Sequence, residues 1–371
     1  MVAVSADSAL IRSHGIHPAK RLSHMQPELH KAIHLLLEKQ SLDLNTIHAA
    51  IGAIMDGRCG PIETTALLTG LAVKGETAEE LAGAAIAMRE RATRIPTKRT
   101  GLIDTCGTGG DRMRTFNIST ATAFVIAAAG VPVAKHGNRS VTSNSGSADV
   151  LEALGVNIDL NAEQAGTCLD ELGICFCYAR TFHTAMKHVA PIRQKLGFRT
   201  IFNMLGPLTN PAGAPYQLVG VSNNETAAKI AWALSRLKMT RAMVVCGNDQ
   251  LDEVALWGTT QVWDVTGETI RTQTWTAADF GLNECRAEDL SITGKEDSAR
   301  FIESIFNGTP GPARDIVIAN AALALLCRGT ALTLAEGVQK ASAAIDNGHA
   351  AALLKQLVDW TQRCASSPAA R

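Results

Sequence analysis

Five short clusters in this chain hold residue types that can do chemistry. The first is a glycine-rich turn, Asp104, Gly107, Gly109, Gly110 and Asp111, placed directly after an apolar run at residues 102–104. Glycine tolerates positive φ and lets a ligand approach backbone amides closely. Successive amides in such a turn form an anion nest. The spacing fits neither the phosphate-loop pattern with its Gly-Lys-Ser/Thr nor the dinucleotide fingerprint. The second cluster, Asn117, Ile118, Ser119 and Thr120, opens an apolar helical pattern running to residue 129. Ser119 or Thr120 is expected to cap that helix, and free amides at a helix start favour a phosphate.

The third cluster is Lys135, His136, Gly137, Asn138, Arg139, Ser140, Val141, Thr142 and Ser143, followed by Gly146, Ser147 and Asp149. Two cations, an amide and several hydroxyls so close together suit an anionic, hydroxyl-rich ligand such as a sugar phosphate. Lys135 can meet a phosphate as a point charge and Arg139 as a two-pronged fork. Taken singly, His136 reads equally as a hydrogen-bonded loop histidine and Arg139 as a loop brace. The fourth cluster, Lys187, His188 and Arg193, reads on its own as solvated helix charge. The fifth, Asp252 and Glu253, offers two hard oxygen ligands suited to Mg²⁺, although an isolated acid pair is ordinarily surface.

These residues need elements to position them. The chain has 371 residues, which favours a large domain plus a smaller one. From residue 27 to about 92 the pattern is helical throughout. Asp43 is placed to cap one helix, Gly60 and Pro61 to open another, and Thr77 with Glu80 to form a capping box. From residue 102 the rhythm changes. Apolar runs at 102–104, 131–135, 174–178, 217–221, 242–246 and 261–265 alternate with helical segments, including 119–129, 147–154 and 162–172. That alternation predicts an α/β fold with a mostly parallel central sheet. Residues 184–207 and everything from 312 onward are expected to be helical. The expected organisation is a small helical domain over 26–95, joined by about 184–210, and a large α/β domain over 98–183 and 211–365.

Bulk composition excludes some functions. The 35 basic and 35 acidic side chains cancel, so there is no general attraction to nucleic acid or to an anionic membrane. Apolar runs are too short to cross a bilayer. Nine cysteines without metal-ligand rhythm are expected in a reducing, cytoplasmic setting, with Cys175 and Cys177 buried in a strand. The first 25 residues are expected to be an extension outside the fold or a weak targeting segment, and residues 366–371 to fray.

In this order the clusters closely resemble the anthranilate phosphoribosyltransferase family, from about residue 27 to the C-terminal helices. The strongest matches are residues 107–111, 117–120, 135–143, 146–152, 187–193 and 199–211, with Asp252 and Glu253 where the family carries its metal-binding acids. The resemblance implies a homodimer formed through helical domains, with an active site between a helical and an α/β domain. It implies that Gly107, Gly110, Asp111, Thr115, residues 117–120, residues 135–143 and Ser147 hold phosphoribosyl pyrophosphate. By the same resemblance, Gly107, Asn138 and Arg193 hold anthranilate, and Ser119, Asp252 and Glu253 hold Mg²⁺. The stretch at 178–183 departs from the family's usual proline and paired histidines: only His183 matches, and Arg180 adds a cation. Trp257 and Thr259 likewise replace more usual small residues and proline. Pyrimidine nucleoside phosphorylases share the architecture but not the residues at 135–139 or the acid pair. A nucleic-acid-binding relative would want a basic face.

Overall fold

The structure, a computed structural model, describes residues 26–110, 113–140 and 145–366. The expected N-terminal extension, Asp111, Val141, Thr142, Ser143 and residues 367–371 lie outside them.

Four helices open the described chain: α1 (Pro27–Leu37), α2 (Leu44–Met55), α3 (Pro61–Lys74) and α4 (Ala78–Glu90). Their start signals act as read. The Asp43 carboxylate accepts from the Thr46 amide, and Pro61 sits in the first turn of α3. Thr77 and Glu80 form both bonds of a capping box. Glu80 is fully buried, yet its oxygens also take the Leu42 amide at 2.8 Å and the Lys74 ammonium at 3.0 Å. The α1–α2 loop and the α4 start are thereby fixed on one satisfied carboxylate.

The remaining elements build a seven-stranded sheet of order β3-β2-β1-β4-β5-β6-β7. The strands are β1 (Ile103–Gly107), β2 (Val133–Gly137), β3 (Ile174–Tyr178), β4 (Tyr216–Gly220), β5 (Arg241–Gly247), β6 (Thr260–Thr266) and β7 (Thr269–Trp275). The first five pair in parallel, and β6 and β7 add on antiparallel. Between and after them run α5 (Ile118–Ala128), α6 (Ser147–Ala153), α7 (Ala162–Leu172), α8 (Ala179–Phe182), α9 (Ala190–Leu196), α10 (Phe202–Leu205), α11 (Asn224–Arg236), α12 (Lys295–Phe306), α13 (Pro312–Arg328), α14 (Leu334–Asp346) and α15 (His349–Ser366).

Period-2 alternation splits the sheet's side chains between two cores. Leu218, Met243 and Val245 join α5 and α13 on one side. Val219, Ala242 and Val244 face the other way and join α11, the N-terminal helices, and Val189, Ile201, Phe202, Leu205 and Leu208. The segment after residue 184 therefore shares a core with the N-terminal helices. It is not continuously helical, however. A 3-10 turn, α9, α10 and a second 3-10 turn share it, because Gly197 ends α9 in the left-handed conformation at φ +69°.

Two further readings need correction. Strand β7 was not anticipated: its residues are polar and largely exposed, as an edge strand permits, so they show no apolar run. Neither Ser119 nor Thr120 caps α5. Asn117 occupies the N-cap, and its side chain makes no capping bond.

Candidate active site

The chain order reverses between β1 and β4, which is where open α/β sheets form their ligand crevice. The glycine-rich turn leaves β1 at this point. The Thr108 amide donates to Gly220 O at 2.9 Å, holding the turn to the end of β4. Gly109 and Gly110 have φ of +64° and +82°, conformations that only glycine adopts cheaply. Gly107 is needed for room, because a Cβ there would collide with Asp252 Oδ2. That same oxygen accepts from the Gly109 amide at 3.0 Å. The acid pair after β5 is thus packed directly onto the turn after β1, and Glu253 is buried beside it.

Lys135 links the clusters. It is 3% exposed on β2, and its ammonium donates to Thr105 O at 2.6 Å and reaches Ser119 Oγ at 3.3 Å. Burial holds its pKa below the usual lysine range, and the charges of Asp104, Glu253 and Asp252 offset only part of that. An ammonium here lies between the glycine-rich turn and the start of α5. The strand pairing sets this: β1 and β2 run parallel with Ile103 opposite Val133, which brings Lys135 level with Thr105.

Asn117 holds the start of α5 through contacts outside the helix. Its Nδ2 donates to Ser145 O at 3.1 Å, and its Oδ1 accepts from Ser145 Oγ and Ser298 Oγ at 2.6 and 2.7 Å. Ser298, fully buried on α12, also accepts the Asn117 amide at 2.9 Å. Thr115 pairs with Ser291 in an isolated antiparallel bridge. The 114–117 segment is therefore braced from the C-terminal part of the chain. Ile118 and Thr120 are buried, and Thr120 Oγ1 has no hydrogen-bond partner among the described residues.

In the loop after β2, Arg139 and His136 both take structural roles. Arg139 has its whole fork engaged: Glu152 takes Nη1 and Nη2 at 2.5 and 2.7 Å, Asp149 takes Nη1 at 3.0 Å, and Tyr178 OH lies 3.2 Å from Nε. Asp149 in turn accepts the amides of Ser140 and Gly146. Arg139 here is a brace that shapes the loop. His136 points its ring at Gly206 O, 3.1 Å from Nδ1, and its amide donates to the buried Asp104 carboxylate. The Asn138 amide donates to Ser147 Oγ at 3.2 Å. A Cβ on Gly137 would strike Ser147 Oγ and the Phe176 ring, so glycine is required there too.

Opposite lies the segment after α8. The His183 ring lies tilted against that of His136, with centroids 5.1 Å apart. Arg193 is half-buried with its guanidinium 5.6 Å from the Phe202 ring centroid, and Nη2 reaches Asn203 Oδ1 at 3.4 Å. Burial lowers its pKa, yet a guanidinium stays charged. Arg193 is thus no ordinary solvated helix charge. His188 packs on Gly57, where a Cβ would sit 2.7 Å from the imidazole carbon Cε1.

Sequence reasoning placed Asp104 in the first cluster without finding its partners, and missed Asn203 and Ser298 as site-builders. Asp104 carried a signal, because a carboxylate inside an apolar strand must be satisfied. It bonds the His136 amide and Asn210 Nδ2 at 2.9 and 2.8 Å.

The chain matches the helical bundle domain of the glycosyl transferase family over residues 30–92 and the α/β domain of that family over residues 99–351. Fold and site together define a two-domain glycosyl transferase. Anthranilate phosphoribosyltransferase of Symbiobacterium thermophilum is 48% identical over 315 residues, covering 85% of this chain and 92% of its own. That of Laribacter hongkongensis is 48% identical over 337 residues, covering 91% and 98%. Among solved structures, the crystal structure of anthranilate phosphoribosyltransferase from Thermus thermophilus superposes with a TM-score of 0.84 at 40% identity, over 89% of this chain and 99% of that one. The Saccharomyces cerevisiae enzyme in complex with PRPP and Mg gives 0.83 at 28% identity, over 90% and 98%. The chain belongs to the anthranilate phosphoribosyltransferase family.

Proposed function

We propose that this chain transfers the phosphoribosyl group of phosphoribosyl pyrophosphate to anthranilate, giving N-(5-phosphoribosyl)anthranilate and pyrophosphate, a step of tryptophan biosynthesis. The observation that carries the reading is the buried Lys135 ammonium, held between the glycine-rich turn and the start of α5. The donor lies along the Gly107–Gly110 turn, the start of α5, Lys135 and the loop to Ser147. Arg139 contributes by shaping that loop.

The oxygen donors present suit Mg²⁺. Asp252 and Glu253 sit beside the glycine-rich turn, and both charges reach Lys135, which touches Ser119 Oγ. Mg²⁺ takes one or two carboxylates and completes its shell with substrate phosphates and water, so a third acidic ligand is not needed. When bound, Mg²⁺ supplies Lewis-acid stabilisation of a departing pyrophosphate. Lys135 adds a fixed positive charge in a buried setting, where charge stabilisation is strongest. Arg193 grips the anthranilate carboxylate and aims the amine at the anomeric carbon, and Asn138 and Gly107 line the acceptor's other side. Catalysis is by positioning and charge, with no covalent enzyme intermediate.

The segment around 184–210 works as part of the helical side of the cleft, so that donor and acceptor are held by different parts of the chain. The chain acts as a homodimer joined through its helical block. Leu37, Ile62 and Val73, on α1 and α3, are 74%, 80% and 83% exposed, which is costly for large apolar side chains left in water. No helix among the described residues is long and apolar enough to cross a membrane. The test is chromatographic: incubation with both substrates and Mg²⁺ yields phosphoribosylanthranilate and pyrophosphate in equal amounts. Pyrophosphate without phosphoribosylanthranilate would mean hydrolysis and would overturn the acceptor assignment.

A further inference from the structure

A cation on the acceptor-side segment has no role in the proposed reaction so far. Arg199 lies just past Gly197, which ends α9. The residue is exposed, yet its guanidinium reaches the glycine-rich turn. A Cβ on Gly110 would collide with Arg199 Nη1. Among the described residues no carboxylate pairs with Arg199 and no acceptor takes its protons. Its guanidinium therefore lies over a turn whose Thr108 and Gly109 amides are already held by Gly220 O and Asp252, and among the described residues it has no anion of its own there. An unpaired guanidinium beside a glycine-rich turn is satisfied by an anion that it can grip with two N–H groups.

The backbone beneath Arg199 is fixed. Thr200 is buried, and its amide donates to Asn203 Oδ1 at 2.9 Å. That oxygen is the one Arg193 Nη2 approaches at 3.4 Å. One amide oxygen thus anchors both the acceptor-side cation and the chain that delivers Arg199 to the donor turn.

We propose that Arg199 is a donor-binding residue whose guanidinium takes the pyrophosphoryl group of phosphoribosyl pyrophosphate over the Gly107–Gly110 turn, clamping the donor from the opposite wall of the cleft. The inference rests on the donor site assigned above. A bidentate guanidinium suits this task better than an ammonium, since its fork matches two phosphate oxygens at once.

The test compares wild type, Arg199→Ala and Arg199→Lys in steady-state kinetics with each substrate varied, together with inhibition by inorganic pyrophosphate. Loss of a charge-assisted hydrogen bond predicts that Arg199→Ala raises the donor KM by about 10- to 150-fold. The inhibition constant for pyrophosphate should rise in parallel, while the anthranilate KM at saturating donor stays near wild type. Arg199→Lys should recover part of the loss. An exposed side chain predicts an unchanged Tm. A donor KM and pyrophosphate inhibition constant equal to wild type in an active Arg199→Ala enzyme would overturn the role, as would equal losses for both substrates that lysine does not rescue. A wild-type protein that transfers nothing overturns the donor-site reading itself, which separates that failure from this one.

Discussion

The Asp252 carboxylate accepts a hydrogen bond from the Gly109 amide at 3.0 Å, joining the acid pair after β5 to the glycine-rich turn after β1. The same oxygen fills the space that a Cβ on Gly107 would need. Gly107→Ala should therefore push the carboxylate off the turn without adding charge. A displacement of about 1 Å at a reacting centre costs about 100-fold in rate, and the Mg²⁺ concentration needed for half-maximal activity should rise as well. Titrating activity with Mg²⁺ checks both effects. An unaltered Mg²⁺ requirement would separate Asp252 from the metal.

Arg193→Ala should selectively weaken anthranilate use, by about 10- to 150-fold in KM, since a charge-assisted bond to the carboxylate is lost. The donor KM should change little. Equal effects on both substrates would mean that Arg193 serves the packing around Phe202 and Asn203 instead.

Ser298 exchanges two hydrogen bonds with Asn117 from a helix far along the chain. Each neutral bond contributes about 1 kcal/mol, so Ser298→Ala should raise the donor KM by roughly 5- to 30-fold. Ser298→Thr keeps the hydroxyl and should recover part of that loss. Combined with Asn117→Ala, Ser298→Ala should cost less than it does alone, because the side-chain bond is already gone and only the bond from the Asn117 backbone amide remains to be lost. Additive losses in the double variant would show that Ser298 acts apart from Asn117.

His136 and His183 set an acid limit. Burial pushes His136 down to about 4, and burial with repulsion from His136 pushes His183 down to about 3. Both are lower than the unfolded value of about 6.5, so the unfolded chain binds the protons first as pH falls. Their contribution to stability is complete above about pH 6.5 and is lost progressively toward pH 4. His183→Phe removes one of these protons, and the slope of unfolding free energy against pH should fall by about 1.4 kcal/mol per unit between about pH 6 and 4.5. Denaturant melts across that window measure it. An unchanged slope would show that His183 titrates alike in both states.

Much of the scaffold was legible because its signals are local. The strand at Ile174–Tyr178 and the helix at Ala162–Leu172 fall where apolar runs and flanking breakers place them. Asp43, Pro61 and the Thr77–Glu80 pair announce helix starts through contacts a few residues long. Long-range partners left no such trace. Nothing near Asn117 reveals that its cap-position side chain is spent on Ser145 and Ser298, and nothing near Gly110 points to Arg199. Arg139 lay between these cases. Asp149 and Glu152 stand three apart on one face of α6, a spacing that could have marked them as its partners.

Loss of anthranilate fluorescence on mixing the protein with phosphoribosyl pyrophosphate and Mg²⁺, with a no-metal control and an Asp252→Ala/Glu253→Ala variant, tests the central claim most directly. The account predicts rapid metal-dependent loss in the wild type and little or none in the control and the variant. Undiminished fluorescence with folded wild-type protein, or equal loss in the variant, would contradict it.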